Sequence, residues 1–177
     1  MAVDADWALR AERAAHRRDR QLDAETRRSN GVVHTPPAVA RWVAAEAHAA
    51  LCGELGLAAG LADPSVTIVD PACGPGVFLA AALDVAGALG APHAVLGVDL
   101  DKRATDVAQE TFGEDFKAAG WPLMFRTRDA LVDLEVGPVR ADDGVCVVLG
   151  NPPWLARGAR AGAFVDSLMG EFRRDST

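Results

Sequence analysis

Four short apolar runs, rich in β-branched residues and too brief for helices, constrain the fold of this chain more than any other feature. They occupy residues 66–69, 94–98, 123–126 and 145–149. Helix-length segments separate the first three runs, over residues 77–89 and 103–119. Strands that alternate with helices predict a parallel, doubly wound sheet, because successive parallel strands need a crossover connection. The sequence therefore predicts an α/β, Rossmann-like fold with about four parallel strands, preceded by helices.

Two helical segments precede the first strand. Residues 6–28 are polar and arginine-rich, and acidic residues are interleaved with the arginines. This pattern predicts a solvated or partner-docking helix rather than a nucleic-acid contact. Further along, Pro36 and Pro37 suit the first turn of a helix whose apolar positions recur at helical spacing to Leu51. A final helix is predicted over residues 164–172.

Composition excludes several other classes of protein. No stretch reaches the roughly 20 apolar residues that span a membrane, and acidic residues interrupt the N-terminus before any signal-peptide core. We therefore expect a cytoplasmic protein without membrane contact. Cys52, Cys73 and Cys146 are odd in number and far apart, which predicts reduced, mostly buried thiols rather than disulfides or a zinc site. The four histidines lack metal-binding spacing, so no metal centre is expected.

The residues that carry chemistry follow the predicted strands, at the edge where doubly wound sheets bind ligands. The first group lies directly after the first strand and opens a helix; it is Asp70-Pro71-Ala72-Cys73-Gly74-Pro75-Gly76. Glycines there let the backbone approach a ligand and leave helix N-terminal amides facing it. This heptad is much more specific than a lone Gly-x-Gly, and a tight turn without a ligand is its structural alternative.

Acidic residues follow the second and third strands. Asp99 ends the second strand about 20 to 30 residues beyond the first, the spacing at which a carboxylate binds ribose hydroxyls. For Asp101 the alternative to a binding role is a structural one, because an aspartate at that position caps the following helix. Asp129 follows the third strand and, taken alone, is as compatible with a polar strand end as with a binding role.

The fourth group, Asn151-Pro152-Pro153-Trp154, follows the last strand and is the most informative. The asparagine amide oxygen and a prolyl carbonyl, held by the rigid Pro-Pro segment, are two acceptors directed at one spot. Two acceptors suit a primary amino group whose nitrogen must leave conjugation and direct its lone pair at an electrophile. Trp154 adds a flat surface on which a planar ring can stack. A turn beside a core tryptophan is the structural alternative, which the other three motifs disfavour.

Together these motifs resemble those of the N6-adenine DNA methyltransferases of restriction-modification systems, in the arrangement whose cofactor motifs precede the Asn-Pro-Pro-aromatic motif. The resemblance covers residues 31–156. It implies S-adenosyl-L-methionine as cofactor and methyl transfer to an amino group. It also implies that residues 31–177 form the N-terminal half of a methyltransferase-like catalytic domain, after a helix or arm over residues 1–30.

The resemblance implies a role for each matching residue. Asn151, Pro152, Pro153 and Trp154 match the catalytic positions, with a flipped base stacking on Trp154. The segment that closes over the methionine part of the cofactor matches His34, Thr35 and Pro36. The loop after the first strand matches Asp70, Ala72, Cys73, Gly74 and Gly76. Asp99 matches the ribose ligand, and Asp129 matches the residue that meets the adenine of the cofactor.

The chain departs from the family pattern at three places. His34 stands where family members usually carry an aromatic residue, and Pro75 replaces a Ser or Thr and removes an amide donor. The sequence ends soon after Trp154, without the three further strands and the target-recognition region of the family. The fourth strand would then be a bare apolar edge, so we expect a second subunit to cover it in a heterodimer.

Three functions are compatible with this sequence. In the first, the chain is one subunit of a split S-adenosylmethionine-dependent methyltransferase acting on DNA adenine. In the second, a heterodimeric biosynthetic enzyme orients a small-molecule amine for SN2 displacement of an internal leaving group, without S-adenosylmethionine. The net charge of −7 and the presence of only two lysines favour a small substrate, because DNA-binding proteins usually present basic surfaces. In the third, the subunit is non-catalytic and senses the cofactor or supports the assembly.

Overall fold

The computed structural model describes residues 6–20, 34–130 and 144–152, which belong to one compact unit. In this part of the chain the helices are α1 (Trp7–Asp19), α2 (Pro37–Gly53), α3 (Val77–Ala86) and α4 (Lys102–Ala118), with a 3-10 turn at Gly60–Ala62. The strands are β1 (Val66–Asp70), β2 (Ala94–Asp99), β3 (Leu123–Thr127) and β4 (Val145–Val148).

The predicted strands and helices within these ranges are confirmed, with differences at their ends. The helix α3 ends at Ala86, whereas the sequence predicts helix to residue 89. Gly87 follows it, and glycine is a poor helix former that commonly ends a helix. The predicted helix over residues 164–172 lies outside the described residues. So does the domain boundary at residue 30, which stays a prediction.

The four strands form one parallel sheet in the order β3-β2-β1-β4. The central strand β1 pairs with β2, where Thr67 lies opposite Ala94, and with β4, where Val66 lies opposite Val145. Every residue of β1 is buried, as expected for a parallel strand that is covered on both faces. The predicted α/β, Rossmann-like fold, with four parallel strands preceded by helices, is therefore confirmed.

The two crossovers, β1-α3-β2 and β2-α4-β3, place helices against one face of the sheet. This face carries Ile68 and Val95, which share the main core with apolar residues from all four helices. The opposite face carries a smaller buried cluster of Val69, Leu96 and Val98. Because β4 lies on the other side of β1 from β2, the direction of winding reverses at β1. Such a reversal is where doubly wound sheets place their ligand sites.

The first helix is packed into the core, which corrects the prediction of a solvated helix. Trp7 is 5% exposed and Ala14 is fully buried. On the neighbouring helix α4, Asp115 Oδ2 accepts from Arg10 at 2.7 Å, and the Arg10 guanidinium lies 5.5 Å from the centre of the Phe112 ring. The aliphatic part of an arginine side chain covers apolar surface while its guanidinium group pairs with an acidic residue. An arginine-rich helix can therefore pack against the core without a wide apolar stripe.

The strand β4 lies at the edge of the described sheet. Val145 and Val147 pack toward the main core, whereas Cys146 and Val148 point to the other face and are exposed, Val148 to 63%. Of the thiols that the sequence predicts to be mostly buried, Cys73 is buried, and the prediction is wrong for Cys146. Cys146 and Val148 thus form an exposed apolar strip on one face of β4.

Candidate functional site

The direction of winding reverses between the carboxyl ends of β1 and β4. Asp70 ends β1, while Gly150 and Asn151 follow β4, its parallel neighbour. Gly150 lies directly over Asp70, because a Cβ built on this glycine would meet the Asp70 carboxyl group. Open α/β sheets bind ligands at such switch points. The structure thus brings together, at one edge of the sheet, residues that lie far apart in the sequence.

The loop from Asp70 to Gly76 is closed by hydrogen bonds from its own amides. Ala72 N donates to Asp70 Oδ1 (3.1 Å), Cys73 N to Val98 O (2.8 Å), Gly74 N to Asp99 Oδ2 (2.8 Å) and Gly76 N to Cys73 O (2.8 Å). The first intrahelical bond of α3 runs from Ala80 N to Gly76 O, so the amides of its first turn have no helix carbonyl to donate to. The amides of the loop are therefore already used, and the backbone donors without a helix carbonyl lie at the start of α3.

Two glycines with positive φ shape this loop. Gly74 has a φ of 51° and Gly76 has a φ of 89°, backbone conformations that residues other than glycine rarely adopt. A Cβ on Gly76 would lie 3.1 Å from Ala108 Cβ, so glycine at this position lets α4 pack against the loop. Among the described residues, none has an atom within 4 Å of a Cβ built on Gly74. The loop is thus tightly packed at Gly76 and open at Gly74, where a ligand can approach the backbone.

Asp99 is half-buried at the end of β2, and its carboxylate holds two segments of backbone. Oδ2 accepts from Gly74 N and Oδ1 from Asp101 N, both at 2.8 Å. Each carboxylate oxygen has two lone pairs, so both can also accept from a hydroxyl group. Asp101 caps α4, because its Oδ1 accepts from Arg103 N at 2.9 Å. The structural alternative for Asp101 is therefore confirmed.

Asp70 is a fully buried carboxyl group beneath the start of the Asn-Pro segment. Burial raises the pKa of Asp70 to about 8; the hydrogen bond from Ala72 N opposes this shift, and the nearby Asp99 carboxylate adds to it. Among the described residues, none forms a hydrogen bond with Asp70 Oδ2. With its pKa raised to about 8, the Asp70 carboxyl group is mainly protonated at neutral pH, because burial disfavours the charged form more than the one hydrogen bond from Ala72 N favours it.

Cys73 lies in the loop as a buried and unreactive thiol. Its Sγ is 3.6 Å from Gly74 O. Burial raises the pKa of Cys73 well above the ordinary thiol value, and the nearby carboxyl groups of Asp70 and Asp99 raise it further. A thiol with a raised pKa is not a nucleophile at neutral pH. Cys73 therefore serves to pack the loop and not as a reactive group.

The segment 34–36 lies against the residues that follow β4. Asn151 Nδ2 donates to Thr35 Oγ1 at 3.2 Å, and both residues are half-buried. His34 Nε2 lies 2.7 Å from Asp19 Oδ1, which attaches the segment to the end of α1. Pro36 is exposed and immediately precedes the first turn of α2. The predicted cofactor segment and the predicted amine site are thus in contact.

The remaining predicted residues lie at the same edge or outside the described ranges. Asp129 is exposed after β3, and the preceding Arg128 donates its amide to Asp99 O at 3.0 Å, so the ends of β2 and β3 adjoin. Pro152 is exposed. Pro153 and Trp154 lie outside the described residues, so the roles predicted for them stay predictions.

Arg18 is a residue near the site that the sequence analysis missed. It is 4% exposed, and its Nη2 donates to Asp101 Oδ2 at 3.3 Å. This contact attaches the end of α1 to the start of α4, beside Asp99. A signal for its burial was available, because the buried positions of α1 recur at helical spacing. These positions are Trp7, Ala11, Ala14 and Arg18.

Within residues 6–20, 34–130 and 144–152, no group of three or more His, Cys, Asp or Glu side chains could hold a metal ion. None of the helices in those ranges is both long and apolar enough to cross a bilayer.

Comparison with known proteins finds similarity among solved structures. No family model matches the sequence, and no curated protein matches it. Among solved structures, the chain is similar to a proposed RNA methyltransferase from Pyrococcus horikoshii, with a TM-score of 0.42 and 25% sequence identity. The match covers 75% of this chain and 55% of that chain, so this chain spans about half the length of the protein it matches.

Proposed function

We propose that this chain is one subunit of a split S-adenosylmethionine-dependent amino-methyltransferase of the N6-adenine DNA methyltransferase type. The observation that carries the proposal is the hydrogen bond between Thr35 and Asn151, beside the loop that begins at Asp70. A methyl donor and its acceptor must meet in line, so the residues that bind them must adjoin. The predicted cofactor positions and amine positions adjoin at the switch point.

The residues at the switch point fit S-adenosylmethionine. Space is open beside Gly74, the first turn of α3 offers backbone amides, and the Asp99 carboxylate is accessible at the end of β2. In this proposal Asp99 binds the ribose hydroxyls and Asp129 meets the adenine. The loop and the segment 34–36 hold the methionine part. When bound, the cofactor supplies an electrophilic methyl group on a sulfonium centre.

Asn151 orients the amine in this proposal. Its Oδ1 and the Pro152 carbonyl accept the two amine hydrogens, which directs the nitrogen lone pair along the line of attack. Both acceptors strengthen their bonds as positive charge develops on the nitrogen, so they act mainly in the transition state. Trp154 stacks on the ring that carries the amine. The neutral Asp70 carboxyl group supports the backbone of this segment from below.

A second polypeptide completes the fold in this proposal. The strand β4 is the edge strand of the described sheet, and the exposed Val148 lies on it beside Cys146. A strand from a partner that pairs beyond β4 would satisfy backbone groups and cover these side chains. It would also place residues of the partner opposite Asn151, so that the active site becomes a shared cleft.

Methyl transfer tests the proposed function directly. The assembled protein is incubated with S-adenosylmethionine that carries a tritiated methyl group, together with adenine-containing duplex DNA. We expect label in the DNA, lost in Asn151→Ala and retained in Asp106→Ala, which removes an exposed carboxylate on α4 that pairs with Lys102. Absence of both transfer and cofactor binding in the assembled protein would contradict the proposal.

A second candidate is favoured by the charge of the chain. The net charge is −7 and the chain has only two lysines, which is unfavourable for contact with a DNA backbone. In this candidate Asn151 and Pro152 orient a small-molecule amine for displacement of an internal leaving group, without S-adenosylmethionine. Mass spectrometry separates the two candidates. The first adds a methyl group to the substrate, whereas in the second the amine nitrogen forms a bond to carbon within the substrate as the leaving group departs with the electron pair of its bond, so the mass falls.

A further inference from the structure

The last turn of α1 reaches the predicted cofactor site on two sides. Arg18 Nη2 donates to Asp101 Oδ2 at 3.3 Å, just beyond the end of β2. On the next residue along the helix, Asp19 Oδ1 lies 2.7 Å from His34 Nε2, in the segment before α2. Two neighbouring side chains of α1 thus contact two separate parts of the site.

Arg18 is the buried member of this pair of side chains. The residue is 4% exposed, and none of the described residues accepts a hydrogen bond from its Nε. Burying a guanidinium group is costly, and a buried ion pair is often no more stabilising than apolar side chains of similar size. The other buried positions of α1 are Trp7, Ala11 and Ala14, which are apolar. Stability of the core is therefore a weak reason for an arginine at this position.

Asp101 connects Arg18 to Asp99 through a chain of hydrogen bonds. Asp101 Oδ2 accepts from Arg18, and Asp101 Oδ1 accepts from Arg103 N, so both oxygens of this carboxylate are held. The amide of Asp101 donates to Asp99 Oδ1 at 2.8 Å. The other oxygen, Asp99 Oδ2, accepts from Gly74 N, also at 2.8 Å. Each donor in this chain is an N–H group of an amide or a guanidinium, which cannot accept, so the direction of every bond is fixed.

We propose that Arg18 is a positioning residue that acts through Asp101 to fix the Asp99 carboxylate for the ribose of the cofactor. The inference rests on the proposed function, in which Asp99 binds the ribose hydroxyls. A carboxylate that is already oriented loses less freedom when its ligand binds, so the affinity is higher. Because α1 carries Arg18, docking of this helix and binding of the cofactor are coupled, and each favours the other.

Hydrogen exchange on the assembled protein tests the inference without cofactor. Mass spectrometry of peptides that cover residues 70–76 and 97–103 includes the amides of Gly74 and Asp101, which donate to Asp99. In Arg18→Met we expect exchange of these amides to rise about tenfold, the scale of one lost hydrogen bond to a charged group. Methionine keeps the unbranched apolar part of the side chain, so α1 retains its packing on the core.

Arg10→Met is the matched control, because it makes the same substitution on the same helix. It removes the ion pair with Asp115, near the C-terminal end of α4, and leaves the contact with Asp101 in place. We expect this variant to be less stable to urea and to leave exchange in both peptides unchanged. Arg18→Lys keeps the positive charge and should restore part of the protection.

Asp101→Asn changes the acceptor side of the contact. Asparagine caps a helix about as well as aspartate does, so α4 keeps its first turn. Loss of the carboxylate charge weakens the bond from Arg18, and we expect the same rise in exchange in both peptides. The double variant with Arg18→Met should show no further rise, because both substitutions break one contact.

Calorimetry with S-adenosylmethionine connects the contact to the proposed function. We expect the Kd to rise about fivefold in Arg18→Met, the factor for one hydrogen bond, and to stay unchanged in Arg10→Met. In the reciprocal measurement, saturating S-adenosylmethionine should slow exchange in residues 14–19 of the unmodified protein.

Two results would overturn the role of Arg18. One is unchanged exchange in both peptides in Arg18→Met and in Asp101→Asn. The other is an equal rise in Arg10→Met, which would assign the protection to the packing of α1 as a whole. Failure of the proposed function has a different signature, since S-adenosylmethionine would then not bind the unmodified protein although Arg18→Met still loosens the amides on Asp99.

Discussion

The backbone of Gly150 lies over the buried carboxyl group of Asp70, so closely that a Cβ on Gly150 would be 2.7 Å from Asp70 Oδ1. Real Cβ atoms do not approach an oxygen at this distance. Glycine is therefore required at the first position beyond Leu149, and it determines how near the Asn-Pro segment comes to the end of β1.

Replacing Gly150 with alanine tests this close approach. We expect Gly150→Ala to lower the free energy of unfolding by about 1 to 3 kcal/mol, the usual cost of overpacking a filled site. Urea denaturation of the assembled protein measures the change. Gly53→Ala is the control, because a Cβ there meets no atom within 4 Å. Equal stabilities for the two variants would show that the Asp70 site can expand without cost.

The pH dependence of stability reports on Asp70. Burial raises the pKa of Asp70 from 3.8 to about 8, so between these values the folded state keeps a proton that the unfolded state has lost. The protonated Asp70 carboxyl group therefore contributes stability that is fully present below its unfolded-state pKa of 3.8. This contribution is lost as pH rises through the folded-state pKa of about 8. The slope is at most about 1.4 kcal/mol per pH unit.

The isosteric variant Asp70→Asn is always neutral, so its stability should be nearly independent of pH over this window and should exceed that of the unmodified protein near pH 8. Urea unfolding at a series of pH values is the measurement. Asp63→Asn is the control, because hydrogen bonds from Ser65 lower the pKa of Asp63, and its titration falls below the window. A pH slope that survives in Asp70→Asn would assign the titration to another group.

The Asp99 carboxylate is predicted to bind the ribose of S-adenosylmethionine. Asp99→Ala should weaken binding by about 1 to 3 kcal/mol, the scale of hydrogen bonds to a charged group. Part of the loss comes from the loop, since Asp99 also accepts from Gly74 N. Calorimetry on the assembled protein gives the affinity, with the exposed Asp106→Ala as control. An unchanged affinity of Asp99→Ala for S-adenosylmethionine would exclude a role for Asp99 in binding the ribose.

Asn151 is predicted to act in the chemical step. Asn151→Ala should lower turnover by at least about 10²-fold, because the amide acts where charge develops on the amine nitrogen. The urea midpoint should change little, since the side chain is only half-buried. Rapid-quench measurement of the methyl-transfer step separates chemistry from binding. A fully active variant would exclude the amine-orienting role for both candidate functions.

Assembly is predicted to cover the apolar strip on β4. We expect the chain expressed alone to self-associate, and to form a heterodimer when co-expressed with its partner, because an open sheet edge beside apolar side chains favours pairing. Static light scattering gives the mass. Val148→Asp should prevent the heterodimer, whereas Leu89→Asp, at a similarly exposed apolar position, should not. A catalytically competent monomer would contradict the prediction of a partner.

Local pattern was sufficient to predict the elements of this fold. The strands were recognisable because a short run of β-branched apolar residues suits a strand and is too short for a helix. Asp70, Asp99, Asp129 and Asn151 were predicted at the edge of the sheet for the same reason, since each lies at or just beyond the end of a predicted strand. Helix capping by Asp101, the structural alternative that the sequence offered, was recognisable because capping depends only on neighbouring residues.

Contacts between distant segments were decided by the tertiary structure alone. The sequence determined that Asp70 follows a strand, whereas its neutral state depends on burial beneath Gly150 and beside Asp99. The order β3-β2-β1-β4 is likewise a property of the packed sheet, and it brings Asn151 to Thr35. The physical reason is that a pattern along the chain specifies local conformation. Desolvation, strand order and side-chain contact depend on segments that meet only when the chain folds.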